Sequence, residues 1–518
     1  MNRTVNTDEI AAAIGRRTVG RDLGELLRPV QKSAVGDKVS SFDTHLLNRT
    51  TFGITDIELQ QMEVLGAEGY LDLQLNPDEI DNSALEDFLV EAFPSVDMDY
   101  QEILERLRNE EEDFNPAIDL IVVTLARQLF SPRQLFEVMV EFWTNHFNVF
   151  LFDEAVQYLK TGDDRDNIRP HAMGRFRDLL YANAASPAML LYLDNYANSK
   201  FGPNENYARE LMELHTLGVD GGYTETDVAE VARCFTGWTI DPRADELFVF
   251  VPEEHDDGEK TVLGQVIPAG GGIEDGHQVL DILLAHPSTG QFLASKLVRR
   301  FVADEPPLAL VERVAESYQQ TDGDIRSMLR VIFESDEFAD SRDGKFRRPS
   351  EYVGTVVRTL NPVQSGNYFS VVFRQLETLG QVPFFSVPPT GYPDTQDDWL
   401  NTNALLSRWN LGFSIAFGEL PAGSRVGEEE ADGGRVMADF FQIPVFELLG
   451  DARTPAEIVD RLLDRIVHQQ VAVEDRSALV DYAADGAPGS APLGLEKAVE
   501  RCRAVLAALL ASRYFQMR

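Results

Sequence analysis

Residues 204–238, NENYARELMELHTLGVDGGYTETDVAEVARCFTGW, hold two helical patterns joined by a Gly221-Gly222 turn. Tyr207, Leu211 and Leu214 recur at four- and three-residue spacing, the mark of one apolar helix side. Asn206, Glu210 and Glu213 share another face, and Arg209 stands four residues before Glu213, close enough to pair with it. Pro203 sits at or before the first turn, where no amide donor is lost. His215 lies about half a turn of the helical wheel from Asn206, taking ~100° per residue. It therefore cannot join Glu210 and Glu213 around one ion without groups from elsewhere. A ferritin-like di-metal motif, which needs Glu and His at i and i+3, does not fit.

The same periodicity runs outward from this segment. It appears in IELQQMEVLGAEGYLDLQL (57–75), SALEDFLVEAF (83–93), the stretch from Tyr100 to Leu151, and the C-terminal AVERCRAVLAALLASRYFQMR (498–518). Strand-like runs are few. FVFVP (248–252) is expected to pair with TVLGQVIP (261–268) in a small hairpin, and VVFRQL (371–376) is a further strand candidate. No internal repeat recurs at a fixed period. The expected fold is mostly α, a large multi-helix orthogonal bundle with a small β-hairpin excursion. Residues 1–40 read as an arm outside the core, 41–415 as the main helical domain, and 416–518 as a helical subdomain packed on it. QVPFFSVPPTGYPDTQDDW (381–399) reads as an ordered loop, because disordered linkers seldom carry so many aromatics. GEEEADGG (427–434) and DGAPGSAPLG (485–494) read as surface loops.

A second polar motif is FWTNHFNV (142–149). Leu135, Met139, Phe142 and His146 step along one stripe, so His146 points inward, while Glu137, Glu141 and Asn145 lie along the other side. A buried imidazole needs a hydrogen-bond partner, so His146 is either a core histidine or a metal ligand or general base. His215 also faces inward, and two helices could bring it to His146. The candidate catalytic set is His146, His215, Arg209 and Glu210. The candidate metal set is His146, His215 and Glu213, for a divalent or transition metal. The two imidazoles must lie within about 10 Å for a shared site, since metal–nitrogen bonds are ~2 Å each. HDDGEKTVLG (255–264) lacks the ligand spacing of an EF-hand and reads as a turn. Lys296, Arg299 and Arg300 form a basic helix face that pairs with internal acids or receives an anionic substrate. The alternative to an enzyme is a non-catalytic protein whose motifs form a polar network fixing helix packing.

Composition removes other classes. The chain has 518 residues with 86 acidic against 46 basic side chains, a net charge of -40. Phosphate backbones and anionic membranes repel such a surface. Two cysteines, Cys234 and Cys502, exclude a disulfide framework and a four-thiolate zinc site. There is no Gly-x-Ser-x-Gly elbow, and the glycines at 270–272 are not followed by Lys-Ser/Thr. No apolar run is long enough to span a bilayer. The N-terminus shows Arg16 and Arg17 without a following apolar segment, which implies a cytoplasmic protein or one whose leader is missing.

Together with FDTHLLNRTTFGIT, DIRSMLRVIFESDEF, KFRRPSEYV, GYPDTQDDW and ASRYFQMR, these segments resemble, in order from Phe42 to Arg518, the domain-of-unknown-function 1800 family. The resemblance implies a largely helical bacterial protein, often encoded beside a sulfatase-like partner. It brings no catalytic residues with it. WTNHF followed by ELHTLG also loosely resembles the distal-histidine region of animal haem peroxidases. The arginine that this resemblance requires is missing, with Val219 and Asp220 near its place.

Overall fold

Helices carry this chain. The computed structural model describes residues 5–18, 40–109, 114–153, 155–244, 246–362, 368–418, 443–468 and 470–518. Among them the sheet content is two antiparallel two-strand pairs, and no helix is long and apolar enough to cross a membrane. The fold class is mostly α, as the periodicity predicts.

The apolar side chains gather into two cores. One takes residues between Leu46 and Phe338. The other joins the N-terminal helix, the Pro116–Phe130 helix and the chain from Tyr352 to Phe515. The Gln134–His146 helix serves the first core with Leu135, Val138, Met139, Phe142 and Trp143. The Pro349–Leu360 helix serves the second, and all of its residues are buried. Its start is written locally. Pro349 occupies the first turn, and the Glu351 carboxylate accepts from the Arg348 amide at 2.9 Å. The turn after the Ser41–Thr50 helix presses against it. A Cβ at Gly53 would stand 2.6 Å from the Thr355 Cα, so only glycine lets these backbones touch.

Several expectations change. The Thr7–Thr18 helix does not lie outside the core, because Ile10, Ala11 and Ile14 are buried in it and Arg17 pairs with buried Asp119. FVF pairs with residues 238–240, not with TVLGQVIP, whose two ends pair with each other. The turn signal at Leu263-Gly264 makes a tight local hairpin, and local pairing costs less loop entropy. VVFRQL lies inside the Tyr368–Leu379 helix, where Phe369, Val372, Phe373 and Leu376 keep helical spacing. A β-branched run with a one-sided 3.6 period followed the period rather than the propensity. The Thr402–Phe417 helix packs along Leu495–Ala511, with Gly412 against Leu510. The C-terminal segment thus shares its core with helices before residue 416. GEEEADGG (427–434) lies outside the described residues.

Candidate active site around His146

The last two turns of the Gln134–His146 helix carry polar groups on both sides. On one side, Asn145 and Asn148 hold the Pro- and aromatic-rich loop. The Asn145 amide donates to the Tyr392 carbonyl at 2.8 Å and accepts from the Tyr392 amide at 2.6 Å. Asn148 donates to the carbonyls of Ser386 and Pro388 at 3.0 and 2.8 Å. Gly391 makes this docking possible. Its φ is 70°, and a Cβ there would fall 2.4 Å from the Asn145 carbonyl oxygen. Gly391→Ala is expected to destabilise the protein by roughly 1–3 kcal/mol, from left-handed strain plus the clash. Thermal unfolding measures it, and an unchanged melting temperature would show that the loop does not depend on this contact. A narrow cavity of about 40 Å³ lies behind the clamp, lined by Glu141, Asn145, Asn148, Gln381 and Tyr392 among others.

On the other side is His146. Its Nε2 faces the His215 carbonyl at 3.1 Å, and its Nδ1 faces the Lys296 amine at 2.8 Å. A carbonyl can only accept, so Nε2 carries the proton and Nδ1 accepts from Lys296. The ring is packed among Trp143, Phe147, Phe176 and Phe292. Burial, then the Lys296 charge, pushes its pKa well below the ordinary histidine value. His215 is fully buried 6.1 Å away, ring centre to ring centre, so the two imidazoles do meet. Burial and Lys296 lower its pKa to about 3, and neither ring nitrogen has a hydrogen-bond partner among the described residues. An unsatisfied buried polar group costs roughly 1–3 kcal/mol, which makes this imidazole costly to keep as mere packing. Lys296 itself is half-buried. Burial lowers its pKa to about 8, against the opposing pull of Asp394 and with a further push from Arg299.

His215 sits in a π-helical turn, Leu211–Thr216, that continues the short Asn206–Glu210 helix. Such turns are rare and often mark functional positions. The buried stripe is Tyr207, Leu211, Met212 and His215, with Leu214 only half-buried. The carboxylates stay off the histidine side. Glu213 interacts with Tyr223, and Glu210, with its pKa raised by burial and by Glu213, faces Tyr192. Arg209 pairs on the surface with Glu225 at 2.7 Å and Glu205 at 3.2 Å, not with Glu213. The structure therefore unites His146 with His215 and leaves Arg209, Glu210 and Glu213 elsewhere. Among the described residues no group of three or more His, Cys, Asp or Glu side chains could hold a metal ion. The expected ligand set of His146, His215 and Glu213 is not assembled, because the helix face separates Glu213 from both rings, as the wheel geometry required.

Beyond Lys296 the basic helix meets its acids. Arg300, Arg348 and Arg518 converge on one oxygen of Glu351, the latter two at 3.1 and 2.8 Å. Burial opposes charge on Glu351, but Arg300, Arg518 and Arg348 hold its carboxyl well below the carboxylate range. Arg348 also reaches Glu141 at 2.7 Å and Asp394 at 3.4 Å. Lys345 pairs with Asp304 and donates to the Asp394 carbonyl at 2.8 Å. Sequence reasoning missed Lys296, Asp394 and Glu351 as members of one site. The usable signal was Lys296 and Arg300 one helical turn apart, facing the YPD and RRPSE segments.

A separate buried group joins His255, Lys260 and Asp275, with His255 Nε2 3.1 Å from Asp275. All three side chains are shut off from solvent, and Asp256 pairs instead with Arg233 at 2.8 Å. The HDDGEK loop is thus tied down by an internal ion pair, and Asp275, twenty residues on, was not legible from that motif.

No curated protein and no solved structure matches the chain. A family model described as a protein of unknown function, DUF1800, matches residues 45–517, and with nearly the whole chain covered the protein belongs to that family.

Proposed function

We propose that this protein is an enzyme whose reacting group is the Lys296 amine, held by His146. The observation that carries the reading is the 2.8 Å contact between Lys296 Nζ and His146 Nδ1. A lysine in water is protonated at neutral pH, whereas one with a pKa of about 8 is free amine in roughly a tenth of molecules at pH 7. The residue as a whole is half-buried, so its stem is partly open to solvent while burial of the amine lowers its pKa. Its lone pair would attack a carbonyl carbon, with the C=O electrons going to oxygen. His146 Nδ1 accepts the two protons that the nitrogen sheds one after the other and returns each to that oxygen, the first making the carbinolamine hydroxyl and the second letting it leave as water as the imine forms. The bond from His146 Nε2 to the His215 carbonyl holds His146 in the one tautomer that permits this relay. No metal ligand set is needed for it.

The test is pH-resolved modification with an arylating amine reagent, followed by peptide mapping. Lys296 is expected to react half-maximally near pH 8, about two pH units below ordinary lysines. Incubation with small aldehydes and oxo acids under cyanoborohydride is then expected to add mass at Lys296. A Lys296 that titrates with the other lysines and traps no carbonyl compound sinks the reading.

A second reading has its own observation. Asn145 and Asn148 spend their side chains on holding the 381–399 loop. Motif residues that clamp a loop suit a non-catalytic protein that binds or matures a partner, such as the sulfatase-like protein implied by family resemblance. Unreactive Lys296 together with intact folding would favour it.

A further inference from the structure

We propose that the cleft between Arg133, Arg169 and Arg326 is a binding site for a small 2-hydroxy or 2-amino acid with an apolar side chain. This site is separate from Lys296 and does not depend on the reading given to that residue. The cleft has a volume of about 320 Å³, the lower end of what small-molecule sites occupy. Its arginines come from three distant segments: the start of the Gln134–His146 helix, the turn at Arg169–His171, and the Ile325–Phe333 helix.

The arginines are already aimed. Arg133 Nε donates to the Ile80 carbonyl at 2.8 Å, and Arg133 makes no ion pair among the described residues. Arg326 Nε donates to the Met173 carbonyl at 2.8 Å and its Nη1 to Asn76 at 3.2 Å, while its nearest carboxylate, Asp78, stands 3.8 Å off. Anchoring through Nε leaves the Nη edge of Arg133 for a planar anion, the geometry that suits a carboxylate, and Arg326 adds an Nη2 that meets Asp78 only loosely. Arg169 is held by Glu137 at 2.6 Å and closes the inner wall. In a chain of net charge -40, an arginine left without a carboxylate is an uncommon use of a cation.

The second half of the ligand is written by Asn82. Its Nδ2 donates to Glu86 at 2.9 Å, which fixes the amide orientation. Its Oδ1 is buried and has no hydrogen-bond partner among the described residues, although Asn82 lines the cleft. That oxygen calls for a donor on the ligand, a hydroxyl or an ammonium close to the carboxylate. Glu86 is not free to supply the same contact, because Arg127 holds it at 2.7 Å. Phe136 and Met173 offer apolar surface for a side chain.

The full chain is titrated by calorimetry with phenyllactate, phenylalanine and 3-phenylpropionate, three acids with one skeleton that differ only at the 2-position. Either 2-substituted acid is expected to bind roughly tenfold more tightly than 3-phenylpropionate. Phenyllactate alone would identify the hydroxy acid, and phenylalanine alone the amino acid. Arg133→Gln and Arg326→Gln are expected to weaken binding by on the order of tenfold or more, and Asn82→Leu to abolish the preference for a 2-substituent. Circular dichroism melts identify variants that fold, and Arg326→Lys, which keeps the charge, serves if Arg326→Gln does not. Absence of saturable binding up to about 10 mM, well beyond the millimolar range of weak specific sites, overturns the proposal. So does binding that is indifferent to both arginines, or an equal affinity for all three acids.

Discussion

Glu351→Ala is expected to leave little folded protein. The Glu351 carboxylate is the shared partner of Arg300, Arg348 and Arg518, three side chains each no more than 4% exposed. Removing it leaves buried like charges facing one another. Breaking a buried pair by deleting one partner costs about 3–5 kcal/mol, and here one deletion strips Arg518 of its carboxylate and Arg300 and Arg348 of their most deeply buried one. Glu141 and Asp394 remain, but each lies at the edge of the cluster and already serves Arg348. Against a total stability of roughly 5–15 kcal/mol the loss is decisive. Glu351 also accepts from the Arg348 amide at the start of an entirely buried helix, so the cap is lost as well. The comparison is Glu225→Ala, which removes an exposed partner of Arg209 and is expected to leave stability nearly unchanged, because solvent screens that pair. Urea unfolding of both variants decides the matter. A Glu351→Ala protein within about 1 kcal/mol of wild type would mean that Glu141 and Asp394 neutralise the arginines unaided.

Why so strong a centre escaped the sequence reading is instructive. Helical period was visible because apolar side chains repeat locally, and it placed the Gln134–His146 helix, the inward His146 and the inward His215 correctly. The meeting of those rings was legible because each stands on the inward side of its own helical segment. What the sequence hid is long-range. Glu351 and Arg518 are separated by most of the C-terminal helices, and nothing in RRPSEY alone says that a C-terminal arginine returns to it. Lys296 read as one of a basic group of three, whereas its environment divides them: Arg300 finds carboxylates, Lys296 finds an imidazole. Spacing reports which residues share a helix face, but a face has no partner until tertiary packing supplies one. Arg209 shows the converse. Its i, i+4 offer to Glu213 was available locally, and Glu225 on the next helix won it. The π-helical turn at Leu211–Thr216, which opens just beyond Arg209, was not detectable from periodicity.

The wild-type protein is expected to lose its stability on mild acidification, before the Glu351 carboxylate titrates. His45, His146 and His215 are buried and neutral when folded. Burial, followed by the charge of a nearby cation, brings His45 and His215 to about 3 and His146 well below its ordinary value. In the unfolded chain each returns to about 6.5. Below pH 6.5 the unfolded state therefore takes up protons that the folded state cannot accept, and stability falls as pH drops. Above 6.5 both states are neutral at these positions and the full stability is present. Each histidine removes roughly 1.4 kcal/mol per pH unit, so the three together remove about 4 kcal/mol per unit once the unfolded rings are charged. Glu351 acts in the opposite sense at much lower pH. Its carboxyl is held well below the usual range, so its contribution is still complete at pH 5 and is lost only on further acidification. The histidines thus dominate between pH 6.5 and about 4.5, and a protein of ordinary stability would unfold within that window. Urea titrations at pH 7.5, 6.5 and 5.5 measure the slope. His468, lowered to about 4 by burial and Arg347, adds to the same slope, so His215→Phe, which keeps an aromatic ring and removes the ring nitrogens, is expected to take away about a quarter of it. Stability that stays level from pH 7.5 to 5 would mean that these rings take up protons in the folded state, and with that the neutral His146 required beside Lys296 would be gone.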